Sequence, residues 1–145
     1  MSFLSKPEEE VVFSSPMEGK ITFGNKPVSG AKIERLIKWK DKTGKTDTTT
    51  TDENGNFSLP VIKNIVKLPK ISQFVVTEEI YVIYNNKKHL IWSLSKMSKK
   101  IYDELGGKPK NLRCELTDED ESFMFDNAML VTICKWESIE PQKGK

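Results

Sequence analysis

Few residues in this chain are equipped for chemistry, and none comes with the neighbours that chemistry needs. A nucleophilic centre requires a base beside the nucleophile and a third group to orient the base. The only histidine, His89, follows Lys87 and Lys88 at the start of a hairpin arm, with no serine or cysteine motif around it. It reads as a solvated loop imidazole. Two cysteines, Cys114 and Cys134, are too few for a disulfide framework, and with one histidine they cannot make a zinc site of the usual kind. They are expected to be reduced, as small buried apolar side chains. The run Asp118-Glu119-Asp120-Glu121 lacks the alternating ligand spacing and central glycine of a calcium loop, so it reads as a solvated connection between strands. Gly106-Gly107 lacks the strand-to-helix setting of a phosphate-binding loop. These residues predict no enzyme, no metal and no cofactor.

Charge is more informative in its distribution than in its sum. With 23 basic and 21 acidic side chains, a net charge of +2 does not advertise nucleic acid as partner. Between residues 18 and 45, however, lie Lys20, Lys26, Lys32, Arg35, Lys38, Lys40, Lys42 and Lys45 against only Glu18, Glu34 and Asp41. The 117–126 segment is the reverse, with Asp118, Glu119, Asp120, Glu121 and Asp126 and no base. Such a dipolar surface can steer a protein partner of complementary charge; lysines that keep sheet edges apart account for the basic half equally well. Lys38-Trp39-Lys40 lacks the several exposed rings of a nucleic-acid platform. The start, MSFLSKPEEEVVF, is acidic where a secretory signal is basic, and no stretch approaches the roughly 20 apolar residues of a membrane span. The expected location is cytoplasmic.

The elements that would position any site are mostly strands. Residues 18–23 alternate, and Gly24-Asn25-Lys26-Pro27 follows as a turn. In 31–40, Ile33, Ile37 and Trp39 share one parity with Arg35, which breaks the apolar row and predicts a bulge or an ion pair at the sheet rim. The threonine run 46–51 predicts a solvated edge strand. Residues 74–84 and 89–94 flank a hairpin turn at Asn85-Asn86-Lys87-Lys88. Met97, Ile101 and Leu105 fall at helical spacing before Gly106-Gly107 and Pro109, predicting a short helix near 96–105. A last strand pair, 112–116 and 129–136, encloses the acidic segment. The predicted organisation is an N-terminal arm (1–15), one all-β sandwich domain (16–138) and a frayed polar tail (139–145).

Two segments carry a family resemblance. Gly19-Lys20-Ile21 is followed by Lys26-Pro27-Val28-Ser29-Gly30-Ala31-Lys32-Ile33, and then by Thr51-Asp52-Glu53-Asn54-Gly55-Asn56-Phe57-Ser58-Leu59. The pairing resembles the carboxypeptidase-regulatory-like domain, one of the transthyretin-like (prealbumin-like) β-sandwiches, over about residues 19–60. Physically, Pro27 and Gly30 would bend the chain into the next strand, and Asp52 would hold a turn with Gly55 left-handed. Phe57 would then plug the core. The resemblance implies a transthyretin-like Greek-key sandwich, in a family of mostly accessory or binding modules, and implies no activity. The related hydroxyisourate hydrolases use several histidines and a tyrosine-rich C-terminal tetrapeptide, whereas this sequence has only His89 and ends Pro-Gln-Lys-Gly-Lys.

The 80–94 hairpin is apolar on both parities, so its outer row should be covered. The 95–105 helix, the Phe3/Leu4/Phe13 arm or a partner protein could do so. Tyr81, Ile83 and Ile91 are the anchors expected if nothing in the chain does. The function expected is a non-catalytic protein-binding module, most simply a bacterial immunity protein. It would occlude a cognate toxin, delivered for example by a type VI secretion or Rhs-type system, with either the acidic 117–121 loop or the Tyr81/Ile83 face. The alternative is an accessory or structural module of a secretion or surface system that binds carbohydrate or another subunit.

Overall fold

The computed structural model describes residues 8–39, 42–67 and 74–140, and the described chain is all-β. Fifteen strands follow one another: β1 (Glu8–Ser14), β2 (Met17–Phe23), β3 (Lys26–Pro27), β4 (Lys32–Trp39), β5 (Lys42–Thr50), β6 (Asn56–Leu59), β7 (Ile62–Lys67), β8 (Val76–Tyr84), β9 (Lys87–Lys96), β10 (Lys108–Lys110), β11 (Arg113–Glu115), β12 (Glu121–Phe125), β13 (Ala128–Thr132), β14 (Cys134–Lys135) and β15 (Ser138–Glu140). A six-stranded antiparallel sheet runs β12-β13-β9-β8-β4-β5. A five-stranded sheet runs β14-β11-β2, with β6 and β3 sharing the other edge of β2 and β11 parallel to it. The pairs β1–β7 and β10–β15 are separate ribbons.

The two large sheets meet face to face as a sandwich because their inward rows are apolar at period two. Ile21, Phe57, Leu59 and Cys114 of one sheet and Ile33, Ile80, Val82, Leu94 and Leu130 of the other form a single buried cluster. A second cluster lies at one end of the six-stranded sheet, where Val11, Phe13, Ile62 and Val66 of the β1–β7 ribbon cover Ile37, Val76 and Phe74. The predicted 1–15 arm is therefore structural at least over residues 8–14. Phe3, Leu4 and residues 141–145 of the predicted 139–145 tail lie outside the described residues, while Ile139 and Glu140 at its start belong to β15, paired with β10.

The two turn motifs fold as their residue types require. Asp52 Oδ1 accepts from the Asn54 and Asn56 amides, each at 2.9 Å, and Gly55 takes φ 82°. A Cβ on Gly55 would lie 2.5 Å from the Ile21 carbonyl oxygen, so glycine alone fits. The threonine strand β5 is an edge, as expected.

Three expectations are corrected. There is no helix near 96–105: β9 runs on through Lys96, which pairs with Val76 and Ala128, and the chain then makes turns. Tyr102 adopts φ 59° so that its amide can donate to Ser15 Oγ at 2.8 Å, a tertiary bond that overrides a weak helical periodicity. Arg35 does form an ion pair, and the β4–β5 register does slip close by, between Leu36 and Lys38, but its side chain is fully buried in the sandwich and not at the rim. Cys114 and Cys134 are not reduced thiols; they stand directly opposite each other on β11 and β14 and form a disulfide.

Candidate functional site

The outer face of the six-stranded sheet carries the predicted anchors Tyr81 and Ile83, both half-buried. Tyr81 is flanked by Glu34 and Leu90, and Ile83 by Lys32 and Lys88. What shelters these side chains is a lattice of charged neighbours. Lys88 Nζ stands 4.4 Å from the Tyr81 ring centroid, Glu34 receives Lys32 and Lys88 at 3.4 Å each, and Lys38 meets Glu79 at 3.6 Å. Burial opposes ionisation of Glu34, yet its bonds to Lys88 and Lys32 outweigh that and hold the carboxyl below its usual range. Burial, with Glu79 second, pushes the Tyr81 hydroxyl up. The expected cover from a helix or from the arm does not occur among the described residues: residues 97–107 form no helix, and Phe13 packs on the inner side.

Ile91 belongs to the core and not to this face. The β8–β9 register slips between Ile80 and Tyr81, leaving Ile91 without a cross-strand partner and turning it inward to zero exposure. Its carbonyl instead accepts from Thr132 Oγ1 at 2.7 Å and the Ile133 amide at 3.2 Å.

The acidic segment crosses from β11 to edge strand β12, and the structure separates its members. Lys135 Nζ bridges Asp118 at 3.0 Å and Glu121 at 3.8 Å, while Glu119 and Asp120 are exposed and form no ion pair among the described residues. Just upstream, Glu115 is drawn down to about 2: burial works against this, but the Thr117 hydroxyl and the amides of Asn25, Thr117 and Gly24 all donate to it. Glu115 thereby ties the β2–β3 turn to the acidic crossing.

Beside this crossing, Met124 and Met129 face each other across the β12–β13 hairpin, 77% and 48% exposed. Sequence reasoning missed this pair because the acidic run hid the strand that follows it. The signal was present: Phe123 and Phe125 alternate with Met124, then Asp126-Asn127 turns the chain. Phe123 packs inward on Trp136 at 5.5 Å, leaving Met124 outside. The site is thus two exposed carboxylates at the head of an edge strand, an exposed methionine pair on its outer face, and the Tyr81/Ile83 rows further along the same sheet.

The remaining chemical candidates stay apart. His89 pairs with Val82, and burial together with Lys87 lowers its pKa. Trp39 packs on Phe13 at 5.4 Å and Phe74 at 6.3 Å, so it offers no open stacking platform. No cluster of three or more histidine, cysteine or carboxylate groups able to hold a metal occurs among the described residues. No helix is long and apolar enough to cross a membrane among them. The basic run of residues 18–45 is dispersed: Lys32 and Lys38 face outward on the six-stranded sheet, Arg35 is buried, and Lys20 lies on the outside of the other sheet.

Residues 17–119 match the family model described as a domain of unknown function, DUF6795, and the chain belongs to that family. No curated protein and no solved structure matches.

Proposed function

From membership in DUF6795 as the premise, we propose that this chain is a non-catalytic protein-binding module. It acts as a bacterial immunity protein, occluding a toxin delivered by a type VI secretion or Rhs-type system. One observation carries the reading: exposed Glu119 and Asp120 lead into edge strand β12, whose Met124 forms an exposed pair with Met129. Exposed apolar anchors and exposed acids carried on one hairpin fit a partner cleft of opposite sign, such as the basic active-site cleft of an enzyme that acts on an anionic polymer. Strand β12 pairs only with β13 among the described residues, so an extended segment of the partner can add to its outer edge.

Two finer statements belong to the proposal. The sandwich is of transthyretin-like Greek-key type, supported by the crossing from β3 in one sheet to β4 in the other and the Asp52–Gly55 corner returning from β5 to β6. Location is likewise a proposal: the sequence-based expectation is cytoplasmic, and the Cys114–Cys134 bond supports an oxidising compartment as its alternative.

The test uses a photo-crosslinking residue at Met124, with Lys63 on β7 as control position, in cells of the source organism. The partner trapped at 124 and not at 63 is purified and titrated. A Glu119→Lys/Asp120→Lys variant should bind it about tenfold or more weakly, with a shallower salt dependence, and fail to protect against it. If nothing is trapped at 124, or the charge-reversed chain binds and protects equally, the reading is wrong.

A further inference from the structure

On the opposite side of the sandwich, three cations stand in register across three neighbouring strands. Arg113 of β11 pairs with Lys20 of β2 and with Lys135 of β14, and Lys20 pairs in turn with Asn56 of β6. Their neighbours Ile21, Cys114 and Cys134 point into the core, so the three cations share the outward face. Like charges directly opposite each other on a sheet destabilise it unless a counter-charge lies between them. Lys135 has such partners in Asp118 and Glu121. Lys20 and Arg113 form no ion pair among the described residues; Lys20 lends only a slight pull to Asp52, which its own turn already holds.

This bare pair lies in an open groove of about 690 Å³ between the five-stranded sheet and the β10–β15 ribbon. The volume is typical of small-molecule sites, which span about 300–1,000 Å³. The ribbon forms the second wall and packs closely: a Cβ on Gly107 would run into the Glu140 carbonyl oxygen. It contributes Lys108 and Lys110, which are held by Glu18 at 2.9 Å and Glu140 at 3.4 Å, both exposed pairs that an incoming anion can displace. Asn56, Asn111 and Glu137 complete the polar lining, and Phe57 and Leu112 its apolar part.

We propose that this groove is a binding site for a soluble small molecule bearing a diphosphate, with Lys20 and Arg113 as its primary contacts. The Arg113 fork and the Lys20 ammonium take one phosphate, where the guanidinium geometry suits paired oxygens. Lys108 and Lys110 on the facing wall take the second. The carboxylates of Glu137 and Glu140 accept from ligand hydroxyls, so a nucleoside or sugar diphosphate suits the lining better than a bare polyanion does. The site is on the other sheet from the proposed protein-binding face and does not depend on it.

The experiment is calorimetric titration and thermal melting of the full chain with inorganic pyrophosphate and with a nucleoside diphosphate. Parallel arms use vesicles of anionic phospholipid and the variants Lys20→Gln, Arg113→Gln and, as control, Lys63→Gln. Both soluble probes should bind the wild type and raise its Tm, the nucleoside diphosphate more tightly. Each groove variant should weaken binding about tenfold and the double variant about a hundredfold, while Lys63→Gln changes nothing. Without ligand, the double variant should melt no lower than the wild type, because removing the opposed charges relieves repulsion. Absence of binding at millimolar pyrophosphate, equal loss in the control, or binding to vesicles alone would overturn the proposal.

Discussion

Replacing Arg35 by methionine tests the buried polar seam most directly. The guanidinium makes four bonds: Nε to Asp47 Oδ1 at 2.9 Å, Nη2 to Asp47 Oδ2 at 2.7 Å, Nη1 to Ser14 Oγ at 3.0 Å and Nη2 to the Pro60 carbonyl at 2.6 Å. Methionine keeps much of the volume and removes every donor. Removing one partner of a buried ionic group costs about 3–5 kcal/mol, because the groups left behind stay desolvated. Against a domain stability of about 5–15 kcal/mol this is a large fraction, and it lowers Tm by about 10 °C for a chain of this length. Asp47→Asn should cost clearly less, since that carboxylate is 30% exposed and the amide oxygen still accepts from Arg35. Lys38→Met, which removes an exposed pair with Glu79, should stay within about 0.5 kcal/mol. The assay is urea unfolding followed by tryptophan fluorescence, which Trp39 reports from one core cluster and Trp92 from the other. A loss at Arg35→Met no larger than at Lys38→Met would refute the reasoning.

Three further outcomes are expected. Cys114→Ala/Cys134→Ala, or reduction of the wild type, should cost about 2–4 kcal/mol in urea unfolding, the range for a crosslink closing a loop of 20 residues; an unchanged midpoint would contradict the pairing. Glu115 has a folded pKa of about 2 against an ordinary 4.5, so its contribution is complete above pH 4.5 and is lost as pH falls toward 2. Glu115→Gln should therefore flatten the acid limb of an acid-denaturation curve and leave a deficit at neutral pH. Glu78 is raised by burial, so the sign reverses: its contribution is intact below pH 4.5 and falls as pH rises above that value. The Tm of Glu78→Gln relative to wild type should climb between pH 4.5 and 7, and a flat difference would count against it.

What could be read from the chain was what its local geometry decides. The Asp52–Gly55 corner needs only residues within five positions of one another, and its side chain, turn and left-handed glycine all fold as their types require. The threonine strand was legible because it lacks an apolar face. Whatever depends on strands far apart in sequence becoming neighbours was not legible. Cys114 and Cys134 meet because β11 is flanked by β2 on one side and β14 on the other, a long-range arrangement that spacing does not encode. The 96–105 helix failed for a similar reason, since partners distant in sequence, Val12 for Lys96 and Ser15 for Tyr102, fix that segment. The Lys20–Arg113 groove was equally hidden. Those two residues are ordinary surface cations until a parallel pairing sets them side by side.

The polar seam explains how strands with such repetitive apolar faces keep one register. Along β4 the inward row reads Ile33, Arg35, Ile37; along β8 it reads Ile80, Glu78, Val76; β9 contributes Leu94 and then Lys96. Shifting either strand by two residues would still bury branched aliphatics, so hydrophobic parity excludes one-residue slips and leaves two-residue slips open. The charges close that gap. Arg35 reaches Asp47, Ser14 and Pro60, Ser14 donates to Glu78, and Glu78 accepts from Trp92 Nε1 at 3.1 Å; Lys96 donates to the Val12 carbonyl at 3.0 Å and stands 3.6 Å from Glu104. In any shifted register these partners separate, and a buried charge without its partner costs more than a lost methyl contact. The seam runs between the two apolar clusters, one filled from the facing sheet and the other from the β1–β7 ribbon. It therefore fixes where the ribbon docks as well as how the sheet pairs. The outer face of the six-stranded sheet, and the surface proposed to bind on it, inherits its alignment from the seam.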